Sequence, residues 1–302
     1  MESYEVAPNT TYEPYFNYPL GIFAAGCALI STTINPLIFY VYNKKDRSVK
    51  NFLFNVTAVS DFLTNLLPAT FLGYVCFSST RFNQYTLLNQ TPEFLSCTLG
   101  CVSQVAVTLM AVARMIKVIR PFYRLKFKWV KAYLVCYTLY MVLGNGGFLL
   151  LGGVSGKKAG TNANLFIIET WNKYICFAMN MTHCFLGLIC SFITVGYLRL
   201  RVRGIGEHAN KMRGSNTILI MNIPYVISIV TNFLALQHYG INFDLVNHYL
   251  IPIFTSAFNP CVIVVRSKGI RTPACSVFKN MVSVSSNQKS AVAAAVPAAV
   301  EY

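Results

Sequence analysis

Long apolar runs separated by short polar stretches are the main pattern along this chain of 302 residues. Each run is long enough to cross a hydrocarbon layer about 30 Å thick, which needs roughly 20 helical residues. The runs lack the alternating periodicity of strands, and backbone groups in lipid are satisfied only within a helix or a closed barrel. The pattern predicts an all-α membrane protein with seven spans, at residues 17–42, 51–77, 94–119, 129–152, 174–198, 215–237 and 245–265.

Composition supports this prediction, because 55% of the residues are hydrophobic and only 12% are charged. No repeat relates the two halves, and no connection between spans is long enough to hold a second domain. We therefore expect one seven-transmembrane domain at 17–265, preceded by an extracellular segment at 1–16 and followed by a cytoplasmic tail at 266–302. The first part of the tail, 266–281, is basic and amphipathic enough to lie along the membrane face.

Positive charge is distributed unevenly, and its positions predict the orientation. The net charge is +15, and twenty of the 25 Lys and Arg residues lie in four stretches that adjoin the ends of the first, third, fifth and seventh runs. Under the positive-inside rule these stretches face the cytoplasm, and an odd number of spans then leaves the N-terminus extracellular. Basic stretches beside spans need no partner beyond membrane lipid, so we do not expect nucleic-acid binding.

Several residues are candidates for covalent modification. Asn9 and Asn89 begin glycosylation triplets on the predicted outer side, Asn89 in the loop before the third span. Three cysteines, Cys76, Cys97 and Cys176, are expected near the oxidising outer face. A disulfide between Cys97 and Cys176 is the first choice, although the sequence does not fix the pairing. Cys275 lies just past the last span, where either a palmitoyl anchor or an unmodified thiol is expected.

One acidic residue, Asp61, lies in the middle of the second predicted span. An unpaired carboxylate at that depth is costly, so Asp61 needs partners or water. The third span offers Ser103, and the seventh offers Thr255, Ser256 and Asn259. Such a cluster suits a bound Na⁺ ion, a protonated carboxyl held by hydroxyls, or a structural hydrogen-bond network without an ion, and the sequence leaves these three open.

The second span carries the first of several resemblances. Asn51 lies ten residues before Asp61, which resembles the second helix of rhodopsin-like (class A) G-protein-coupled receptors. Further motifs similar to that family follow in the same order and with similar spacing along the chain: Arg114 with Pro121-Phe122, Tyr197, Pro224-Tyr225 and Phe258-Asn259-Pro260. The resemblance covers all seven spans and implies a plasma-membrane receptor that activates a heterotrimeric G protein.

The resemblance also implies roles for particular residues. Arg114 would move from an inhibitory contact to one that supports the G protein, and Pro121 would end the third helix and present Phe122 to that partner. Tyr197, Asn259 and Pro260 would belong to the same activation switch. Phosphorylation of the tail could recruit an arrestin-like partner; the candidate sites are Ser283, Ser285, Ser286 and Ser290.

The chain departs from the family pattern at several switch positions. Ala113 replaces the acidic neighbour that restrains the arginine, and Met115 replaces the aromatic residue after it. Ile263 stands where the family keeps a tyrosine, and Asn222 stands where the sixth helix usually carries Trp. The chain is therefore expected to be a divergent member, similar to invertebrate chemosensory or orphan receptors. The missing acidic neighbour favours raised basal activity.

The ligand class is narrowed mainly by exclusion. Ser96 occupies the position at which amine receptors carry Asp, and Ile253 occupies that of the retinal-binding lysine of opsins, so neither a biogenic amine nor retinal is expected. A small neutral molecule or a short peptide suits the remaining side chains. The candidate ligand-binding residues are Ser96, Cys97, Gly100, Thr182, Tyr225, Ile229 and Tyr249.

Other functional classes stay open or are disfavoured by the same residues. No nucleophile and base pair, phosphate-binding glycine loop or catalytic pair of carboxylates is recognisable, so enzymatic activity is not expected. A transporter or channel is the main alternative, although such proteins commonly show repeated halves and several buried charges. A non-signalling seven-helix partner protein is the second alternative, because several switch residues differ from the family pattern.

Overall fold

The computed structural model describes residues 18–44, 48–78, 87–123, 125–155, 177–201, 207–227, 230 and 250–266. Within these ranges the regular elements are helices. They are α1 (Tyr18–Asn43), α2 (Val49–Thr64), a π-helical turn (Asn65–Ala69), α3 (Thr70–Ser78), α4 (Leu87–Ile119), α5 (Phe127–Ser155), α6 (Phe177–Arg201), α7 (Glu207–Met221) and α8 (Ile251–Arg266).

Each of the seven apolar runs overlaps helical structure. The first run matches α1 to within one residue at each end, and the second corresponds to α2, the π-helical turn and α3 in sequence. The largest differences are at helix starts: α4 begins at Leu87 rather than at residue 94, and α7 begins at Glu207 rather than at 215. Asn89 therefore lies in the first turn of α4, and the prediction that it lies in a loop is wrong.

Local sequence signals account for the helix boundaries and interruptions. Ser48 has extended backbone angles, and its side chain accepts a hydrogen bond from the backbone N–H of Asn51 at 3.2 Å, which caps α2. Pro68 lies in the π-helical turn, where a missing N–H is tolerated. Pro224 likewise removes an N–H donor just after α7, which ends at Met221 before a short helical stretch at 223–227.

Residues on the outside and inside of the bundle are distributed as in a membrane protein. Large apolar side chains are exposed along the helices, for example Ile22 on α1, Leu143 on α5 and Phe192 on α6. Polar side chains, in contrast, are buried in the interior, among them Asp61 and Asn259. Lipid rather than water is the solvent that suits such a surface.

Helix lengths agree with this arrangement. Among the described residues, three helices are long and apolar enough to cross a membrane: Tyr18–Asn43, Phe94–Ile119 and Ala178–Leu200. The helix Ile251–Arg266 is apolar but shorter.

Helix α4 lies at the centre of the bundle. It packs against α2, α5, α6, α7 and α8, while α1 packs against α2, α3 and α8. The middle of α4 is almost completely buried, with Val105, Ala106 and Val107 each 0% exposed. This central position brings Ser103 and Arg114, both on α4, close to side chains of other helices.

Candidate functional site

Arg114 connects α4 to α7 near the basic end of the bundle, the end at which the four basic stretches adjoin the helices. Its Nε donates a hydrogen bond to the hydroxyl oxygen of Ser215 on α7 at 3.2 Å, and Ser215 is only 2% exposed. The preceding residue is Gly214, and a Cβ atom built there would lie 3.4 Å from Nη2 of Arg114. The guanidinium group therefore lies against the α7 backbone, and any outward movement of α7 would separate it from Ser215.

The turn after α4 presents an aromatic side chain to solvent. Pro121 and Phe122 follow the last helical residue, Ile119, and the backbone N–H of Tyr123 donates to the carbonyl of Arg120 at 3.0 Å. Phe122 is 100% exposed. The turn thus holds an apolar side chain clear of the bundle beside Arg120, which is the arrangement that a partner groove could accept.

Tyr197 lies half-buried on α6. Two hydrogen bonds between α4 and α6 define its position along the helix axis relative to Arg114. Gln104 on α4 donates to the carbonyl of Asn180 at 2.8 Å, and Thr108 donates to that of His183 at 2.9 Å, so α4 and α6 run parallel. At about 1.5 Å per residue, Arg114 lies roughly 9 Å beyond Thr108, and Tyr197 roughly 21 Å beyond His183. The Tyr197 backbone is therefore nearer the basic end, and its predicted role in the switch stays a prediction.

Asp61 on α2 is the buried carboxylate of the bundle interior among the described residues, at 1% exposed. Asn259 on α8 donates from Nδ2 to Oδ2 of Asp61 at 3.3 Å. The hydroxyls of Ser103 on α4 and Tyr225 beyond α7 interact with the same group of side chains. Four helical segments therefore converge on one carboxylate, and Tyr225, predicted as a ligand contact, lies here instead.

Several oxygen atoms around Asp61 are buried without a hydrogen bond among the described residues. They are the hydroxyl oxygens of Ser103 and Tyr225 and Oδ1 of Asn259, and the hydroxyl oxygen of Thr255, one turn before Asn259 on α8, is likewise unpaired. Buried polar atoms are normally paired with protein groups, water or an ion. One carboxylate surrounded by neutral oxygens fits a monovalent cation such as Na⁺, and no group of three or more His, Cys, Asp or Glu residues forms a metal site in the described part of the chain.

Ser256 participates in this cluster indirectly. Its hydroxyl accepts a hydrogen bond from Nδ2 of Asn65 and donates to the carbonyl of Ile253 at 3.0 Å. The same Asn65 amide also donates to the backbone carbonyl of Asp61 at 3.3 Å. Ser256 is therefore joined to Asp61 through Asn65, and it makes no direct hydrogen bond to the carboxylate.

Sequence analysis missed three polar residues that hold Asp61 in place. Ser31 on α1 donates to the backbone carbonyl of Asp61 at 3.0 Å, and Asn35 donates to the Ser31 hydroxyl at 2.6 Å. Asn65 is the third, and Ser31, Asn35 and Asn65 are each at most 1% exposed. Polar side chains inside apolar runs are costly in lipid unless paired, and this was the signal that could have identified them.

A tight contact between α6 and α7 lies deeper in the bundle than Arg114. A Cβ atom built on Gly187 would lie 2.8 Å from Oδ1 of Asn222 and 3.1 Å from the hydroxyl oxygen of Thr108. Asn222 is fully buried, and its Nδ2 donates to the carbonyl of Ile218 at 2.8 Å. A side chain at residue 187 would press on the ends of the Asn222 and Thr108 side chains, so α6 lies close to both residues.

The predicted ligand-binding residues do not all come together. Ser96 on α4 is fully buried with an unpaired hydroxyl, and Cys97 beside it is half-buried. Gly100 lies against Pro252 of α8, with 3.1 Å between a built Cβ and the Cβ of the proline, so it permits close helix packing. Thr182 is exposed, and its hydroxyl donates to the carbonyl of Ala178 on the same helix at 2.8 Å.

Asn180, one half-turn before Thr182, faces the bundle instead. Its Oδ1 accepts a hydrogen bond from the Tyr137 hydroxyl at 3.3 Å, and its Nδ2 donates to Sγ of Cys101 at 3.0 Å. The inward face of α6 is therefore defined by Asn180, His183 and Gly187. Thr182, a predicted ligand-binding residue, lies away from that face and is exposed.

Several predicted residues lie outside the described ranges, namely Asn9, Cys176, Ile229, Tyr249 and Cys275. The glycosylation of Asn9, the Cys97–Cys176 disulfide and the lipidation of Cys275 therefore stay predictions. The side chain of Asn89 also lies outside the described set, although its backbone belongs to α4.

Comparison with solved structures identifies the fold. The chain is similar to the crystal structure of squid rhodopsin, with a TM-score of 0.60 over 90% of this chain and 88% of that chain, at 15% sequence identity. No protein-family model matches the sequence, and neither does any curated protein. At this identity the likeness shows the fold, and the chain is a helical membrane protein with the rhodopsin-like receptor fold.

Proposed function

We propose that this chain is a seven-helix receptor that couples an extracellular ligand to a heterotrimeric G protein. The N-terminus is outside, the four basic stretches face the cytoplasm, and the protein resides in the plasma membrane. The observation that carries the proposal is the hydrogen bond from Arg114 on α4 to Ser215 on α7. It joins two helices at the basic end of a bundle whose fold is shared with squid rhodopsin.

The Arg114–Ser215 contact provides a two-state element for signalling. With the contact formed, α7 lies against α4 and the basic end of the bundle is closed. A ligand that binds the open arrangement more tightly shifts the population toward it, by no more than its difference in affinity for the two states. Arg114 is then released from Ser215 and can interact with the G protein.

Phe122 and its neighbours supply a second contact with the G protein. The side chain is fully exposed, and Arg120 lies in the same turn. An apolar anchor with a basic rim suits an apolar groove with acidic edges. This contact is presented in both states, so it contributes affinity while Arg114 supplies the dependence on ligand.

The Asp61 cluster is proposed to modulate the same equilibrium. A Na⁺ ion would be held by the Asp61 carboxylate together with the oxygens of Ser103 and Asn259, and it would neutralise the carboxylate inside the bundle. These residues link α2, α4 and α8, so an ion there would stabilise the arrangement in which the three helices are close.

The ligand is proposed to be a small neutral molecule or a short peptide segment. The support comes from Ser96, which is buried with an unpaired hydroxyl on α4. A buried hydroxyl without a protein partner can bind a polar atom of a ligand. Ser96 itself stands where an amine receptor would carry an acidic side chain, which does not favour a protonated amine.

G-protein activation in cells tests the proposal. Wild-type, Arg114→Ala and Phe122→Ala chains are expressed at equal surface density with a reporter for several G proteins. Both variants are expected to lower activation, Arg114→Ala because it removes the switch and Phe122→Ala because it removes the anchor. Unchanged activation in both variants would contradict the proposed coupling. Substrate flux in proteoliposomes without a G protein would instead support a transporter.

A further inference from the structure

The start of α5 is a basic and aromatic surface that the proposed switch does not use. Lys126, Lys128 and Lys131 lie there within two helical turns, and all three are exposed. The helix begins at Phe127, and the backbone N–H of Trp129 donates to the carbonyl of Lys126 at 3.1 Å. The three lysines are therefore carried on an ordered helix start.

The start of α2 is fixed beside this surface. The rings of Phe52 on α2 and Phe127 on α5 meet edge to face, with centroids 5.0 Å apart and an interplanar angle of 68°. Lys50, in the first turn of α2, is exposed and lies over the Phe54 ring at 5.7 Å. The aromatic pair thus brings a second helix start, with its own lysine, next to the lysines of α5.

Acidic residues are absent from the first turns of both helices and from the sequence around α5. Neither α2 nor α5 has an acidic residue in its first turn. The chain has no Asp or Glu at all between Glu93 and Glu169, a stretch that includes the whole of α5. Cations near a helix N-terminus are unfavourable because the helix dipole is positive there. An external anion would relieve this repulsion, and more than one negative charge would suit several lysines.

An exposed tryptophan places the same surface at the membrane boundary. Trp129 is 65% exposed, whereas the hydroxyl of Tyr133, one turn further along α5, is hydrogen-bonded to Nε2 of His183 on α6 at 2.7 Å. Nζ of Lys128 lies 5.8 Å from the centroid of the Trp129 ring. Trp and Tyr concentrate at the level of lipid headgroups, with the apolar part of the ring toward the hydrocarbon. The anion that reaches these lysines is therefore one attached to lipid.

We propose that Lys126, Lys128 and Lys131 at the start of α5 bind the multiply phosphorylated headgroup of an anionic membrane lipid. Trp129 contacts the acyl chains of the same lipid next to the headgroup. The inference rests on the membrane-spanning part of the proposed function and does not depend on G-protein coupling.

Binding of a fluorescent short-chain phosphatidylinositol bisphosphate to the purified full-length chain in neutral detergent micelles tests the inference. The variant Lys126→Gln/Lys128→Gln/Lys131→Gln is expected to weaken binding by roughly tenfold or more, because each lysine near a lipid headgroup contributes to the attraction. The matched control is Arg199→Gln/Arg213→Gln/Arg266→Gln, which removes the same charge from α6, α7 and α8. The control is expected to bind within about threefold of wild type.

Further variants keep the result decisive. A triple arginine variant, Lys126→Arg/Lys128→Arg/Lys131→Arg, retains the charge and is expected to bind as wild type does. If either triple glutamine variant fails to fold, the single variant Lys128→Gln is compared with the single control Arg199→Gln. Equal weakening by the α5 variant and by its control would overturn the inference in favour of diffuse attraction. Soluble inositol trisphosphate that competes as well as the lipid would also overturn it, because the surface would then bind free phosphate.

Discussion

Removing the Ser215 hydroxyl is the sharpest perturbation of the proposed switch. In Ser215→Ala, Nε of Arg114 loses its hydrogen-bond acceptor at 3.2 Å on α7, while the backbone, volume and charge of the bundle hardly change. The closed arrangement is destabilised relative to the open one, in which the contact is already absent. Basal signalling is therefore expected to rise without any change in the ligand site.

The expected size follows from the geometry of this contact. A hydrogen bond to a charged group contributes about 1.5–3 kcal/mol, and a neutral one about 1 kcal/mol. Arg114 is half-buried and has further interactions, so the lower figure, about 1 kcal/mol, is appropriate. At room temperature that corresponds to roughly a fivefold shift, which would raise an open population on the order of 1% to about 5%.

Agonist-free reporter activity at equal surface expression measures this shift. Thr217→Val is the matched control, because Thr217 is on the same helix but its hydroxyl donates to the carbonyl of Arg213 within α7 at 2.8 Å. Ser215→Ala is expected to signal several-fold more than wild type, and Thr217→Val no more than wild type. Equal effects of the two variants, or lowered signalling in Ser215→Ala, would refute the assignment of this contact to the closed state.

Three other predictions concern different parts of the bundle. Gly187→Ala is expected to destabilise the purified protein by about 1–3 kcal/mol through overpacking. The control Gly196→Ala, whose site has open space around it, is expected to be neutral or stabilising. Equal melting temperatures of the two variants would contradict the tight contact at Gly187. Replacing K⁺ by Na⁺ at constant ionic strength is expected to raise the melting temperature of wild type but not of Asp61→Asn, and an identical response in both would exclude ion binding at the carboxylate. Asn9→Gln and Asn89→Gln are each expected to remove one glycosidase-sensitive mass shift on gels, and no shift in the wild type would count against glycosylation and remove its support for an extracellular N-terminus.

The all-helical class of the fold was predictable because it depends on the hydropathy of long segments along the whole chain. Apolar runs near 20 residues cannot be satisfied in lipid except as helices or a closed barrel, and each run overlaps helical structure. Helix starts were less predictable. α4 and α7 continue into polar sequence at Leu87 and Glu207, because helix formation there depends on local hydrogen bonding and not on hydropathy.

The candidate site was predictable at the positions where one charged residue interrupts an apolar run. Asp61 and Arg114 stand out as charges inside apolar runs, and the structure gives both of them interhelical contacts. Their partners were harder to identify. Ser215 lies at the end of a basic stretch, next to Lys211 and Arg213. Nothing in the sequence indicates which serine faces Arg114.

Side-chain direction explains the remaining differences. Tyr225, a predicted ligand contact, lies beside Asp61. Thr182, another predicted ligand contact, is exposed, whereas Asn180 faces the bundle. Packing against neighbouring helices decides which face of an apolar helix is turned inward, so these positions required the structure.

Nucleotide exchange on purified G proteins, without added ligand, tests the central claim most directly. Wild type, Ser215→Ala and Arg114→Ala are reconstituted in lipid nanodiscs and mixed with a panel of heterotrimers. Wild type is expected to accelerate exchange above empty nanodiscs on at least one heterotrimer, Ser215→Ala to do so several-fold more, and Arg114→Ala to lose the acceleration. No acceleration by wild type or by Ser215→Ala on any heterotrimer would contradict the account of this bundle as a G-protein-coupled receptor.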